Sequence, residues 1–176
     1  MQTYISKRSI VSSMCLALVL VFCTTPLMAQ KMTKISGKMT LAATMQERAD
    51  IGDTEGHIVS LSIFEGTNVN TGTNAFMDGA HVTNTAFVDY TKGNGSHQTY
   101  VKMSANDDAV FAKCEGRTTT VLSDDGTSVT TFEGTFTYVG GTGQFENIHG
   151  SGTYKGKYIA THIYVAMWDG EYYIKK

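Results

Sequence analysis

Polar and apolar residues alternate with a period of two along most of this chain. That period suits a β-strand with one buried face and does not suit a helix. Ile35, Met39, Leu41, Ala43 and Met45 alternate with Ser36, Lys38, Thr40 and Thr44. His57, Val59, Leu61, Ile63 and Glu65 alternate with Ser60 and Ser62. The same holds for Ala80, Val82, Ala86, Val88 and Tyr90, for Val110, Ala112 and Cys114, and for Phe132, Phe136 and Tyr138. Abundant Thr, Val and Tyr supports strands, because these side chains suit a pleated surface. The one helix-friendly stretch, Met45-Gln46-Glu47-Arg48-Ala49, is about a turn long.

Turn chemistry divides the pattern into about eight strands, near 35–45, 57–66, 79–91, 97–104, 108–122, 128–139, 148–158 and 159–168. Residues 171–174 extend the last or form a short extra one. Asp78-Gly79, Asn94-Gly95, Asp125-Gly126 and Asp169-Gly170 suit tight hairpins that need positive φ, and Asp78-Gly79 also suits a bulge. Short turns between successive strands make an antiparallel meander. An open meander leaves two unpaired edges that invite aggregation, and closing into a barrel removes them. Gly116, Gly134, Gly152 and Gly156 lie within strands, where they permit the bending that closure needs. The expected fold is all-β, a single closed antiparallel barrel of about eight strands, with a two-sheet β-sandwich as the alternative.

The chain has 176 residues. Lys7 and Arg8 precede an apolar stretch, Ile10 to Phe22, and a polar, small-residue segment ending at Ala29. This is the layout of a secretory leader over 1–29, leaving one barrel domain over 30–176. The apolar stretch is short for a membrane anchor, and no other apolar run approaches the ~20 residues of a spanning helix. The protein is therefore expected to be exported, to the periplasm or beyond.

Removing the leader leaves 12 basic against 16 acidic residues, which argues against a nucleic-acid footprint. It also leaves Cys114 as the sole cysteine, so no intramolecular disulfide forms. That thiol is read as buried and inert, with a reactive role as the alternative.

The stretch Thr131-Phe132-Glu133-Gly134-Thr135-Phe136-Thr137-Tyr138-Val139-Gly140-Gly141-Thr142-Gly143-Gln144-Phe145-Glu146-Asn147-Ile148-His149-Gly150-Ser151-Gly152 resembles the allene oxide cyclase/dirigent barrel superfamily. Members carry a similar Gly-Gly-Thr-Gly-x-Phe turn and a Gly-containing strand in an eight-stranded antiparallel barrel. The chain also resembles uncharacterised exported bacterial barrels of that kind. The resemblance implies fold and little chemistry, because the superfamily hosts cyclases, stereochemistry-directing proteins and proteins of unknown role. The matching segment carries no catalytic residue of the family.

Other motifs read as structure. Gly140 to Gly143 is followed by a strand pattern, where a phosphate loop needs a helix. His57, His81, His97, His149 and His162 show no ligand spacing for zinc, although His81 and His97 can meet across a hairpin near Asn94-Gly95. Asn106-Asp107-Asp108 and Asp124-Asp125-Gly126 lack the ligand offsets of a calcium loop and read as turns. Tyr154, Tyr158, Tyr164, Trp168, Tyr172 and Tyr173 either pack the barrel or line a pocket.

The site candidates are polar residues on apolar strand faces. Glu65 shares parity with Val59, Leu61 and Ile63; Asn84 and Tyr90 share it with Val82 and Ala86; Cys114 shares it with Val110 and Ala112. These four are expected in the lumen or at its mouth. No triad, metal box or cofactor fingerprint is present. The first reading is an exported barrel that binds a small, largely apolar ligand in its lumen or mouth. The alternatives are a cyclase or isomerase acting through Glu65 or Cys114, and a filled barrel with a structural or interaction role. No cofactor is expected.

Overall fold

The structure is a computed structural model and describes residues 31–176 except residue 125. The leader expected over 1–29 lies outside the described residues. Eight strands follow in chain order: β1 (Thr33–Asp50), β2 (His57–Asn70), β3 (His81–Thr91), β4 (Asn94–Ala105), β5 (Asp108–Leu122), β6 (Ser128–Thr142), β7 (Ile148–Ala160) and β8 (Ile163–Ile174). Each pairs antiparallel with the next, and β8 pairs back onto β1 from Thr33↔Tyr172 to Ala42↔Ile163. The sheet is a closed meander barrel, and the sandwich alternative falls away. Among the described residues no helix is long and apolar enough to cross a membrane.

Three local expectations change. The β3–β4 turn falls at Lys92-Gly93, with φ of 52° and 77°, two residues before Asn94-Gly95. Thr91 pairs with Asn94, and Asn94 Oδ1 accepts from the Thr120 N–H at 3.0 Å, so the Asn94 side chain ties the turn to β5. Asp169-Gly170 lies inside β8 and makes no turn, because Gly170 sits opposite Ile35 on β1 and Gly152 on β7. The helix-friendly Met45 to Ala49 is strand. A register shift between Ala43 and Met45 reverses the facing there, so Gln46 and Arg48 turn inward.

Large rings inside the barrel sit across from glycines. Gly37 pairs with Trp168, Gly152 with Phe136 and Gly156 with Phe132. The missing Cβ leaves room for a ring to lie flat on the neighbouring backbone, which is the aromatic rescue of glycine seen in sheets. A Cβ at Gly37 would collide with the Trp168 ring.

One end of the barrel is plugged. The β2–β3 connection turns Phe76, Met77 and Ala80 inward, all at most 5% exposed. The Phe76 ring stands 5.1 Å from Phe145, 5.1 Å from Tyr172 and 6.0 Å from both Tyr138 and Trp168. Asn68, fully buried, holds the plug: its Nδ2 donates to Met77 O at 2.8 Å, and Trp168 Nε1–H donates to its Oδ1 at 3.0 Å. Its backbone N–H donates to Ala80 O and its carbonyl accepts from the Gly79 N–H.

The other end carries the β1–β2 loop and the β3–β4, β5–β6 and β7–β8 turns. His57 ties this rim together, with Nδ1 2.5 Å from Asp53 and Nε2 2.9 Å from Asp89. Lys92 Nζ donates to Glu55 at 2.9 Å and its N–H to Gly56 O at 3.0 Å.

Candidate ligand-binding cavity

The interior between plug and rim holds a cavity of about 280 Å³. A dry cavity of ~150 Å³ accommodates benzene, so this volume suits a body of roughly two rings. Phe64, Phe132, Phe136, Tyr158, Tyr164 and Trp168 supply much of an apolar wall. Arg48 lies at the mouth, where it is largely exposed and 3.7 Å from Asp50.

Three of the four candidate residues line this cavity. Asn84 on β3 is 9% exposed, and its Nδ2 donates to Tyr164 Oη at 2.6 Å. Its Oδ1 is buried and has no partner among the described residues. A buried acceptor without a donor carries a desolvation cost of ~1–3 kcal/mol. Tyr90, on the same face, places its hydroxyl 2.6 Å from Thr118 Oγ1. Cys114 on β5 is buried beside Thr99, and burial pushes its thiol up to about 11. It is a protonated wall residue at neutral pH rather than a thiolate nucleophile.

Glu65 is the correction. It is exposed on the outer surface of β2, while Phe64 and Ser62 point inward. Alternation defines two faces but does not say which is inside. Val59, Leu61 and Ile63 lie outward with Glu65, half-buried, and Leu61 pairs with the exposed Phe87. Asn68 and Phe64 fix the facing, the first by its bonds to the plug and the second by its ring contacts with Tyr164 and Tyr158. The enzyme reading through Glu65 or Cys114 thus has one group outside the cavity and the other held as a thiol.

In the sequence His97 has no close ligand partner, and Tyr154 stands among aromatics that pack the barrel or line a pocket. The structure joins them. His97 pairs with Gly116, Gly116 with Gly134, and Gly134 with Tyr154. Three strand spacings, ~14 Å, separate the end residues, and two bare glycines lie between. The side chains reach across this trough until Tyr154 Oη is 2.7 Å from His97 Nε2. A Cβ at Gly116 would lie 2.6 Å from Tyr154 Oη and 2.7 Å from His97 Nε2. His97 Nδ1 in turn is 3.1 Å from Thr118 Oγ1. The result is a continuous string, Tyr90–Thr118–His97–Tyr154, along the cavity wall.

Burial lowers the His97 pKa, which keeps the ring neutral near pH 7. Burial also raises both tyrosines, so they stay protonated. Gly116 and Gly134 were visible as in-strand glycines, but only strand register aligns them between a histidine and a tyrosine. His81 and His97 do not meet: His81 pairs with Ser104 and is exposed, while His97 pairs with Val88 and is buried.

No protein-family model matches the chain, and no curated protein matches it in sequence. Among solved structures the chain is similar to the pterocarpan synthase dirigent protein PsPTS1, at 14% identity over 83% of this chain and 97% of that one, with a TM-score of 0.45.

Proposed function

We propose that this protein is an exported binding module whose barrel holds a small, uncharged, largely apolar molecule of about two rings, with at least one hydrogen-bond donor. The single observation that carries the reading is the unpaired Asn84 Oδ1 in the wall of a 280 Å³ cavity. A ligand N–H or O–H meets that oxygen and relieves its desolvation. The plug of Phe76, Met77 and Ala80 leaves the rim as the route of entry. Export rests on the leader pattern of residues 1–29.

Calorimetric titration with indene and indole tests the reading. The two are close in shape, and indole adds one N–H. Both are expected to bind, indole more tightly by ~5-fold, the worth of about one net hydrogen bond. Replacing Asn84→Leu removes the difference and retains indene. Failure of both probes to bind removes the reading. A preference for indole that survives Asn84→Leu removes Asn84 from it.

A further inference from the structure

We propose that the ligand also carries a hydrogen-bond acceptor, a carbonyl or comparable oxygen, which receives the one hydrogen that the Tyr90–Thr118–His97–Tyr154 string cannot use internally. The proposal rests on the cavity being a binding site and adds the second half of the ligand's polar pattern.

The argument is a count. Three hydroxyls and one neutral imidazole bring four hydrogens. The string has three contacts: 2.6 Å from Tyr90 to Thr118, 3.1 Å from Thr118 to His97, and 2.7 Å from His97 to Tyr154. Each contact uses one hydrogen, so one is left over whichever way the string is oriented. When His97 carries its hydrogen on Nε2, the imidazole donates to Tyr154, Thr118 donates to Nδ1 and Tyr90 donates to Thr118. The Tyr154 hydroxyl hydrogen is then free.

When Nδ1 carries the hydrogen, every bond can reverse and the free hydrogen is on Tyr90. In the mixed arrangement both neighbours donate to Thr118, and its own hydrogen is free. No further acceptor meets these hydroxyls among the described residues. All four residues line the cavity, so the spare hydrogen is offered there. Together with Asn84 Oδ1, the string gives the wall a donor and an acceptor for an otherwise apolar occupant. Its match is an uncharged hydroxy-carbonyl or amide-like compound, because such a molecule leaves neither group unpaired.

Titration of indane and indanone tests this, since the pair differs by a carbonyl oxygen and no donor. Indanone is expected to bind more tightly by ~5-fold. In the quadruple variant Tyr90→Phe/Thr118→Val/His97→Leu/Tyr154→Phe, which brings no hydrogen to the string, the ratio falls to about one while indane affinity is retained, which also reports an intact cavity. Equal affinities in the wild-type protein, or a ratio unchanged in the quadruple variant, overturn the acceptor assignment while leaving indene and indole binding in place. Failure of all four probes overturns the cavity reading and this assignment together.

Discussion

Asn68 and Asn84 stand on neighbouring strands, point into the same barrel and each bond to an aromatic of β8. Asn68 is completely enclosed, and each end of its amide has a partner: Met77 O on one side, Trp168 Nε1–H on the other. Asn84 has a partner for its Nδ2 only, and its Oδ1 is buried with no hydrogen-bond partner among the described residues. A buried amide satisfied at both ends rigidifies its surroundings; one satisfied at a single end leaves a polar atom for something else to meet. The contrast extends to the regions around them. Phe76 and its four ring neighbours fill the plugged half, whereas the half toward the rim keeps a cavity and a spare hydrogen on its wall.

The largest expected effect breaks the plug. Phe76→Ala removes the ring that Tyr138, Phe145, Trp168 and Tyr172 surround, and it should cost ~3–5 kcal/mol in denaturant unfolding. An effect below ~1 kcal/mol would show that the plug does not stabilise the barrel.

Asn68→Leu should come next, at ~2–4 kcal/mol, because Trp168 Nε1–H and Met77 O both lose their partner in a buried place. Asn84→Leu sharpens the comparison: it removes one bond together with one unpaired acceptor, so it should cost ~1 kcal/mol or less. Equal costs at the two positions would erase the distinction drawn above.

Cys114 reports on the wall between the two regions. Its thiol stands at about 11, so alkylation by iodoacetamide at neutral pH should be slow and should rise only as pH approaches that value. Rapid labelling in the native state would contradict its burial.

The smallest effect is at the rim. Hydrogen bonds donated by the protonated His57 ring to Asp53, then to Asp89, raise the His57 pKa above 6.5, and the same bond lowers that of Asp53 below 3.8. The folded state therefore holds the His57 proton more tightly than the unfolded chain does. The clamp's contribution is full below 6.5 and is lost as pH rises through the folded value. It is also lost as pH falls through the folded Asp53 value. The rim is tied most firmly between about 4 and 6.5. These groups are exposed, so screening keeps the effect small. A titration of the His57 ring by NMR checks the direction, and a folded pKa at or below 6.5 would refute the clamp.

Much of the fold was legible because alternation and turn chemistry are local. Val82, Asn84, Ala86, Val88 and Tyr90 share a face as their parity requires, and Asn84, Tyr90 and Cys114 line the cavity. Where parity alone was asked to choose the inside, it chose wrongly for β2. The face holding Val59, Leu61 and Ile63 is the more apolar of the two, yet it lies outward, since the cavity tolerates Ser60 and Ser62 in its wall. A bulge adds a second failure of the same kind, turning Gln46 and Arg48 inward after Ala43.

By itself the sequence determined that this chain becomes antiparallel hairpins of about eight strands, and it left barrel and sandwich both open. Period two and the turn residues act over a few positions and need no partner strand to be read. Only the tertiary structure decided which face of β2 is buried, that Gly116 and Gly134 open a trough for His97 and Tyr154, and that Asn68 is satisfied where Asn84 is not. Those outcomes depend on register between strands up to a hundred residues apart, where Asn68 meets Trp168. A shift of one position there would turn the same side chains to the opposite face.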